Sequence, residues 1–307
     1  MKSFAATVVA LGVLALAGDA SAFCRSTTCR SSGTKECATD RNTCPTDGAK
    51  LFWPTRCIAF SLNDQGTQDL DPEETFVTLR KTFQAWTEVP CRGGGRASLA
   101  FEERGPVTCH KSEYNKDGHN LNVVLFQDND WKYRGIDATL AKTSVTYNDE
   151  TGEIYDADIE INTANNSMTL TDPPKKIGFD LQAIITHEVG HFIGIAHSGD
   201  PSAVMAPTYS EGSIAQRKLT PDDVEAVCTI YPPQSGVTCN PEPRGGFSDS
   251  CGNVATKKGL CSVSSPAEAA SFAPSSASLA IVGLGVLAAV RRRVRRVRLE
   301  KRQGSRS

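Results

Sequence analysis

Residues 187–197 read HEVGHFIGIAH, and this stretch restricts the possible folds more than any other part of the chain. His187 and His191 are four positions apart, so a helix puts both imidazoles on one face. Gly194 follows closely and lets the chain leave that helix through a turn that a Cβ would resist. His197 can then swing back toward the first two histidines. Three imidazoles on such a frame match the donor set of one zinc ion, with the fourth position left open, as in catalytic sites. Glu188 follows the first histidine and is placed to take a proton from a water at that position without being a ligand itself. The chain has five histidines, three of them in this motif; His110 and His119 sit in polar surroundings and read as surface residues.

The body around the motif has regular patterns. Residues 57–62, 97–102, 120–126, 138–147 and 154–161 read as strands. The fourth is more polar and suits a sheet edge, whereas the fifth alternates apolar and polar residues as a half-buried strand. Asp71 and Pro72 open a helix as N-cap and first position, and Phe76, Leu79, Phe83 and Trp86 follow at core-facing spacing. Residues 148–152 carry turn chemistry, 179–193 form the helix that holds the motif, and 221–231 form a last helix with Thr220 as N-cap and Asp223 at its third position. This mixture predicts an α+β (mixed α/β) domain of ordinary size.

Four features after the motif carry a family resemblance. Ser198 follows the third histidine directly, Met205 stands eight residues beyond it, Pro207-Thr208-Tyr209 comes next, and residues 219–231 read LTPDDVEAVCTIY. With the histidines, these resemble the metzincin zinc peptidases and, among them, the matrixins. The resemblance runs over residues 50–233 and is strongest over 179–231. It implies a metzincin-like fold, with a five-stranded twisted mixed sheet and two long helices above a small C-terminal subdomain with one helix. It implies zinc-dependent cleavage of peptide bonds, with His187, His191 and His197 as ligands, Glu188 as general base and Met205 as an apolar floor below the metal. It also implies substrate-binding roles. Leu140 and Ala141 lie on a segment similar to the edge strand that pairs with an extended substrate. Pro207 and Tyr209 stand in the wall of the specificity pocket. Ala183 stands at the base of that pocket, where a small side chain suggests depth.

Two family features have no recognisable counterpart: a cysteine-switch prodomain, and the histidine-rich loop that holds a second zinc. Between Phe126 and Ile161 there is no histidine. Asp128, Asp130, Asp156 and Asp158 could help bind calcium, but solvated turn and strand carboxylates are the simpler reading. Latency is then expected from residues 23–49, with Asp40 or Asp47 occupying the open zinc position; a staple for the first strand is the alternative.

The ends of the chain read differently from its body. Residues 1–22 form a secretory signal, with Lys2, an apolar run over 5–17 and Ala20-Ser21-Ala22 as cleavage site, so that the mature chain begins at Phe23. Residues 23–49 are a Cys-rich extension and 234–270 a Cys-, Pro- and Gly-rich linker or small disulfide knot. Residues 271–307 hold an apolar run over 279–290 followed by six arginines within 291–298. With Cys261, this tail resembles the C-terminal sorting tags of Gram-negative surface proteins, the myxobacterial type included; membrane attachment through it is the alternative. The expected location is secreted or on the cell surface or outer envelope.

Export permits disulfides. With Cys261 assigned to the tag, ten of the eleven cysteines remain for five bridges, and Cys91 with Cys109, and Cys57 with Cys228, are the expected pairs. Residues 291–307 carry a net charge of +8, which leaves about −10 on residues 23–290. Such an acidic body excludes a nucleic-acid partner and leaves a protein or peptide substrate as the expected one. A surface-displayed binding or adhesion module on a degenerate metzincin scaffold is the competing class, and the intact Glu188 argues against it.

Overall fold

The computed structural model describes residues 22–30, 36–134, 140–173, 175–235 and 239–252. Residues 1–21 of the expected signal segment, the tail over 271–307 and Cys261 lie outside the described residues. A five-stranded sheet has the order β3-β2-β4-β6-β5, with β2 Cys57–Asn63, β3 Ala100–Val107, β4 Val123–Phe126, β5 Ala141–Tyr147 and β6 Ile154–Ile161. All neighbours are parallel except β5, which runs antiparallel to β6 at one edge. Helices α1 Pro72–Thr87 and α2 Leu181–Phe192 pack together against one face, and α3 Pro221–Ile230 closes the domain. The fold expected from the family resemblance is therefore the one observed.

Each element follows from its residues. In β2 the sequence CIAFSLN is buried throughout, as a central strand with both faces covered requires. Ile58, Phe60 and Leu62 face the helices, and so do Val124 of β4 and Ala157, Ile159 and Ile161 of β6. Asp71 caps α1 by accepting from the Glu74 N–H at 2.9 Å. Leu79, Phe83 and Trp86 then fall on one buried stripe, with the Phe83 ring stacked on Phe60 at 3.9 Å. Trp86 Nε1 donates to Thr186 O of α2, so α1 and α2 share a polar contact inside an apolar interface.

Two strand boundaries shift for identifiable reasons. β3 starts later than the pattern suggested and continues through Gly105 and Pro106, which an edge strand with a register shift opposite Phe60 and Leu62 tolerates. β4 starts only at Val123. Asn122 just before it acts as a brace instead, donating to Ala59 O and accepting from the Ala157 N–H.

The opposite sheet face carries a second cluster of Val107, Cys109, Leu121, Val123 and Leu125, against which Phe247 and Cys251 pack. Among the described residues there are five disulfides: Cys24–Cys44, Cys29–Cys37, Cys57–Cys239, Cys91–Cys228 and Cys109–Cys251. The expected Cys91–Cys109 and Cys57–Cys228 pairs are both wrong. Cys91 leaves α1 toward α3, while Cys57 opens β2 and Cys109 lies two residues beyond β3, and both are bonded to residues within 239–252.

The N-terminal extension is pinned to the same domain. Two short strands ahead of α2, β7 Met168–Thr169 and β8 Phe179–Asp180, pair with each other, and β1 Cys24–Arg25 pairs antiparallel with β9 Ile195–Ala196, just before the third histidine. The Ala22 and Phe23 N–H groups both donate to Asp222 Oδ1.

Asp156, Asp158 and Glu160 project from β6 away from the helices. They are buried, which corrects the expectation of solvated carboxylates. Asp158 accepts from the Val123 and Glu113 N–H groups, and Asp128 accepts from Thr67 and the Gln68 N–H. None of Asp128, Asp130, Asp156 and Asp158, the carboxylates weighed for calcium, joins a metal-sized cluster among the described residues. Burial, with Asp158 adjacent, holds the Asp156 carboxyl well above the usual range, and burial pushes Asp158 up to about 7. Above about pH 4 the unfolded chain has lost protons that the native pair still holds, so this contribution to stability falls as pH rises toward 7. Asn mimics the neutral acid. Asp156→Asn should therefore stabilise by about 1 kcal/mol more at neutral pH than near pH 4.5, read from urea midpoints. An equal difference at both values would contradict the assignment.

Candidate metal centre

The site is built from the two ends of α2 and the turn beyond it. Asp180 caps the helix, accepting from the Ala183 N–H at 2.8 Å and from Arg217 Nε at 2.8 Å. Ile185, Val189 and Phe192 are buried in the core, and His187 borders a cavity on another side, with His191 one turn further along the same helix face. The helix stops at Phe192 and Gly194 takes φ +91°; a Cβ there would lie 2.8 Å from Leu51 O. β9 follows and delivers His197.

The three imidazoles converge through the same ring atom. His191 Nε2 lies 3.1 Å from His187 Nε2 and 3.2 Å from His197 Nε2. His187 Nδ1 lies 2.7 Å from Val204 O, and His191 Nδ1 lies 2.9 Å from Ile195 O. A carbonyl only accepts, so Nδ1 carries the proton and the Nε2 lone pair faces inward. Tetrahedral zinc at about 2.0–2.1 Å from each nitrogen needs nitrogens about 3.3 Å apart, so the donor set fits one zinc ion. Burial lowers His187 and His191 to about 4, which keeps both in the neutral, ligating form at neutral pH. His110 is exposed and His119 half-buried, and neither joins this group.

Met205 packs beneath the site at 1% exposure. A Cβ on Gly190 would lie 2.1 Å from Met205 Sδ, so the glycine between the two helical ligands is the space the thioether fills. Asp223 holds this turn: its carboxylate accepts from the Val204 N–H at 2.9 Å, the Met205 N–H at 3.1 Å and the Thr220 N–H at 2.8 Å.

Leu140, Ala141, Ala183, Pro207 and Tyr209 line one cavity of about 300 Å³ that also borders His187, Glu188 and His197. Tyr209 is fixed there: its hydroxyl accepts from the Asp180 N–H at 2.9 Å and donates to Ser213 O at 2.7 Å. Glu188 is 7% exposed, and burial pushes its carboxyl above the usual range.

The sequence profile of the matrixin family matches residues 52–232, which takes in the whole sheet, all three helices and this site. The chain belongs to the matrixin family. Human matrix metalloproteinase-16 is 28% identical over 184 residues, 59% of this chain and 27% of that protein. Human matrilysin is 42% identical over 55 residues, 18% of this chain and 21% of its own length. Matrix metalloproteinase-C of Caenorhabditis elegans is 26% identical over 206 residues, 64% of this chain and 32% of its own. The chain thus spans about a fifth to a third of the length of these matrixin relatives.

Sequence reasoning missed several residues around the site. Thr143 of β5 donates to Glu188 Oε2 at 2.5 Å. Asp223, at the third position of α3, completes a capping box with Thr220, but the same carboxylate also holds the methionine turn. Asp222 accepts from Ser198 Oγ at 2.6 Å, beside the third histidine. The consecutive acids at a helix start were the available signal, though a first-turn role hid the second one. The latency expectation does not hold: Asp40 accepts from the Asn42 and Cys44 N–H groups, Asp47 accepts from the Ala38 N–H, and neither joins the histidines.

Gly190→Ala should test the packing beneath the centre. Overpacking of this kind costs about 1–3 kcal/mol, so the melting temperature should fall by about 5 °C and zinc retention after desalting should weaken. An unchanged melting temperature would show that Met205 moves aside freely.

Proposed function

We propose that this matrixin is a secreted, zinc-dependent endopeptidase that cleaves extended peptides. The observation that carries the reading is the convergence of three Nε2 atoms beside a buried Glu188, on a cavity bordered by the sheet-edge strand β5. His187, His191 and His197 would hold the ion. When bound, zinc supplies Lewis-acid chemistry, making a water acidic and polarising a carbonyl.

The protein's own residues do the rest. An extended peptide pairs with β5 near Leu140 and Ala141 through backbone hydrogen bonds. The side chain following the scissile bond enters the cavity, between Ala183 and the wall of Pro207 and Tyr209. The volume and the fully buried Ala183 base suit a large apolar side chain. Glu188 accepts the proton of the attacking water and returns it to the leaving amine, a dual task that its raised pKa suits. Five disulfides fit an oxidising location outside the cytoplasm. Among the described residues no helix is long and apolar enough to cross a membrane.

Incubating the purified, zinc-loaded chain with a peptide library should give cleavage before large apolar residues. Glu188→Ala should keep one zinc per chain and lose a factor of about a hundred or more in rate. Equal cleavage by parent and variant would remove Glu188 from the mechanism. No cleavage by either would favour a binding module.

A further inference from the structure

Glu188 is one flexible side chain asked to present one oxygen to a water, and the structure shows what limits its freedom. Thr143 Oγ1 lies 2.5 Å from Glu188 Oε2 and 3.1 Å from Glu188 O. A hydroxyl has a single proton, and the carboxylate is the nearer and more strongly charged acceptor, so the proton goes to Oε2. The donor is itself rigid. Thr143 is β-branched, which restricts χ1, and it pairs in register with Ile159, which is fully buried. Strand alternation puts Ala141 and Thr143 on the same side of β5, and Ala141 lines the cavity.

We propose that Thr143 is a positioning residue for the reaction: its hydroxyl fixes Glu188 Oε2, so that Oε1 is the oxygen presented to the attacking water. The inference rests on the peptidase reading above. It gives β5 two tasks, because the strand that pairs with the substrate also aims the base. A peptide seated on residues 140–141 lies two positions from the group that orients Glu188, so substrate register and base geometry share one rigid element. Proton transfer needs heavy atoms within about 2.6–3.2 Å, and a carboxylate free to rotate spends much of its time outside that range. A strand-forming preference alone would explain a threonine here, but not a donor directed at the carboxylate of the helix opposite.

The test compares the full zinc-loaded chain with T143V and T143S on a fluorogenic peptide, with zinc content and melting temperature measured for each. Valine keeps the branched shape and removes the hydroxyl. The expected result for T143V is a fall in kcat of about tenfold to a hundredfold, with KM within about twofold and one zinc retained. T143S should recover most of the rate. A readout apart from turnover is the Kd of a phosphinic peptide, an inert mimic of the tetrahedral stage, which T143V should weaken by about fivefold or more while T143S does not. The proposal is overturned if T143V keeps kcat within about twofold, if its loss lies in KM or zinc content, if serine fails to restore the rate, or if the phosphinic Kd does not move. An inactive parent enzyme would instead refute the peptidase reading, and this inference with it; an active parent with an indifferent T143V refutes only the inference.

Discussion

The Asp223 carboxylate is the interaction on which the centre depends. It is nearly inaccessible to solvent and accepts the N–H groups of Val204, Met205 and Thr220. By fixing that turn it positions Val204 O, which orients His187, and Met205 O, which accepts from the Ser198 N–H next to the third ligand. It also places the thioether against Gly190, between the two helical ligands. One buried charge thus sets the first ligand, the floor and the neighbour of the last ligand. Such a group is costly to bury, as its raised pKa indicates, and four donors, these three N–H groups and the Thr220 hydroxyl, offset that cost.

Much of this was legible in the chain. The spacing of His187, His191, Gly194 and His197 encodes a helix, a stop and a return, because each position has its own geometric requirement. The caps of α1 and α3 could be read from Asp71 and Thr220, since capping is local chemistry. The sheet edge was readable in β5 because its polar alternation differs from the buried run of β2. What failed was non-local. Disulfide partners depend on which elements cross in space, and neither expected pair formed. The buried acids of β6 were read as solvated because a period of two cannot show that loops cover the second face. Thr143 was invisible for the same reason: a threonine in a strand is ordinary until the helix opposite is placed.

The N-terminal extension illustrates the difference between reach and destination. It is long enough to lie over the cleft, yet its strand joins β9 and its first backbone donors end on Asp222. Asp222 in turn accepts from Ser198, so the extension buttresses the turn after the third histidine. Two internal disulfides, Cys24–Cys44 and Cys29–Cys37, tie together a segment with little apolar content of its own.

The two disulfides from residues 239–252 to the sheet have a mechanical consequence. Tension applied to the chain beyond Gly252 enters the domain at Cys109 through Cys251, and at Cys57 through Cys239. Those anchors sit two residues beyond β3 and at the start of β2, so load passes into a hydrogen-bonded sheet before it reaches α3. The helix carrying Asp222 and Asp223 is bypassed and has its own tie, Cys91–Cys228. A domain pulled from its C-terminal side would therefore keep the geometry of its histidines under strain, and a peptide-bond break between residues 235 and 239 would leave the strap attached.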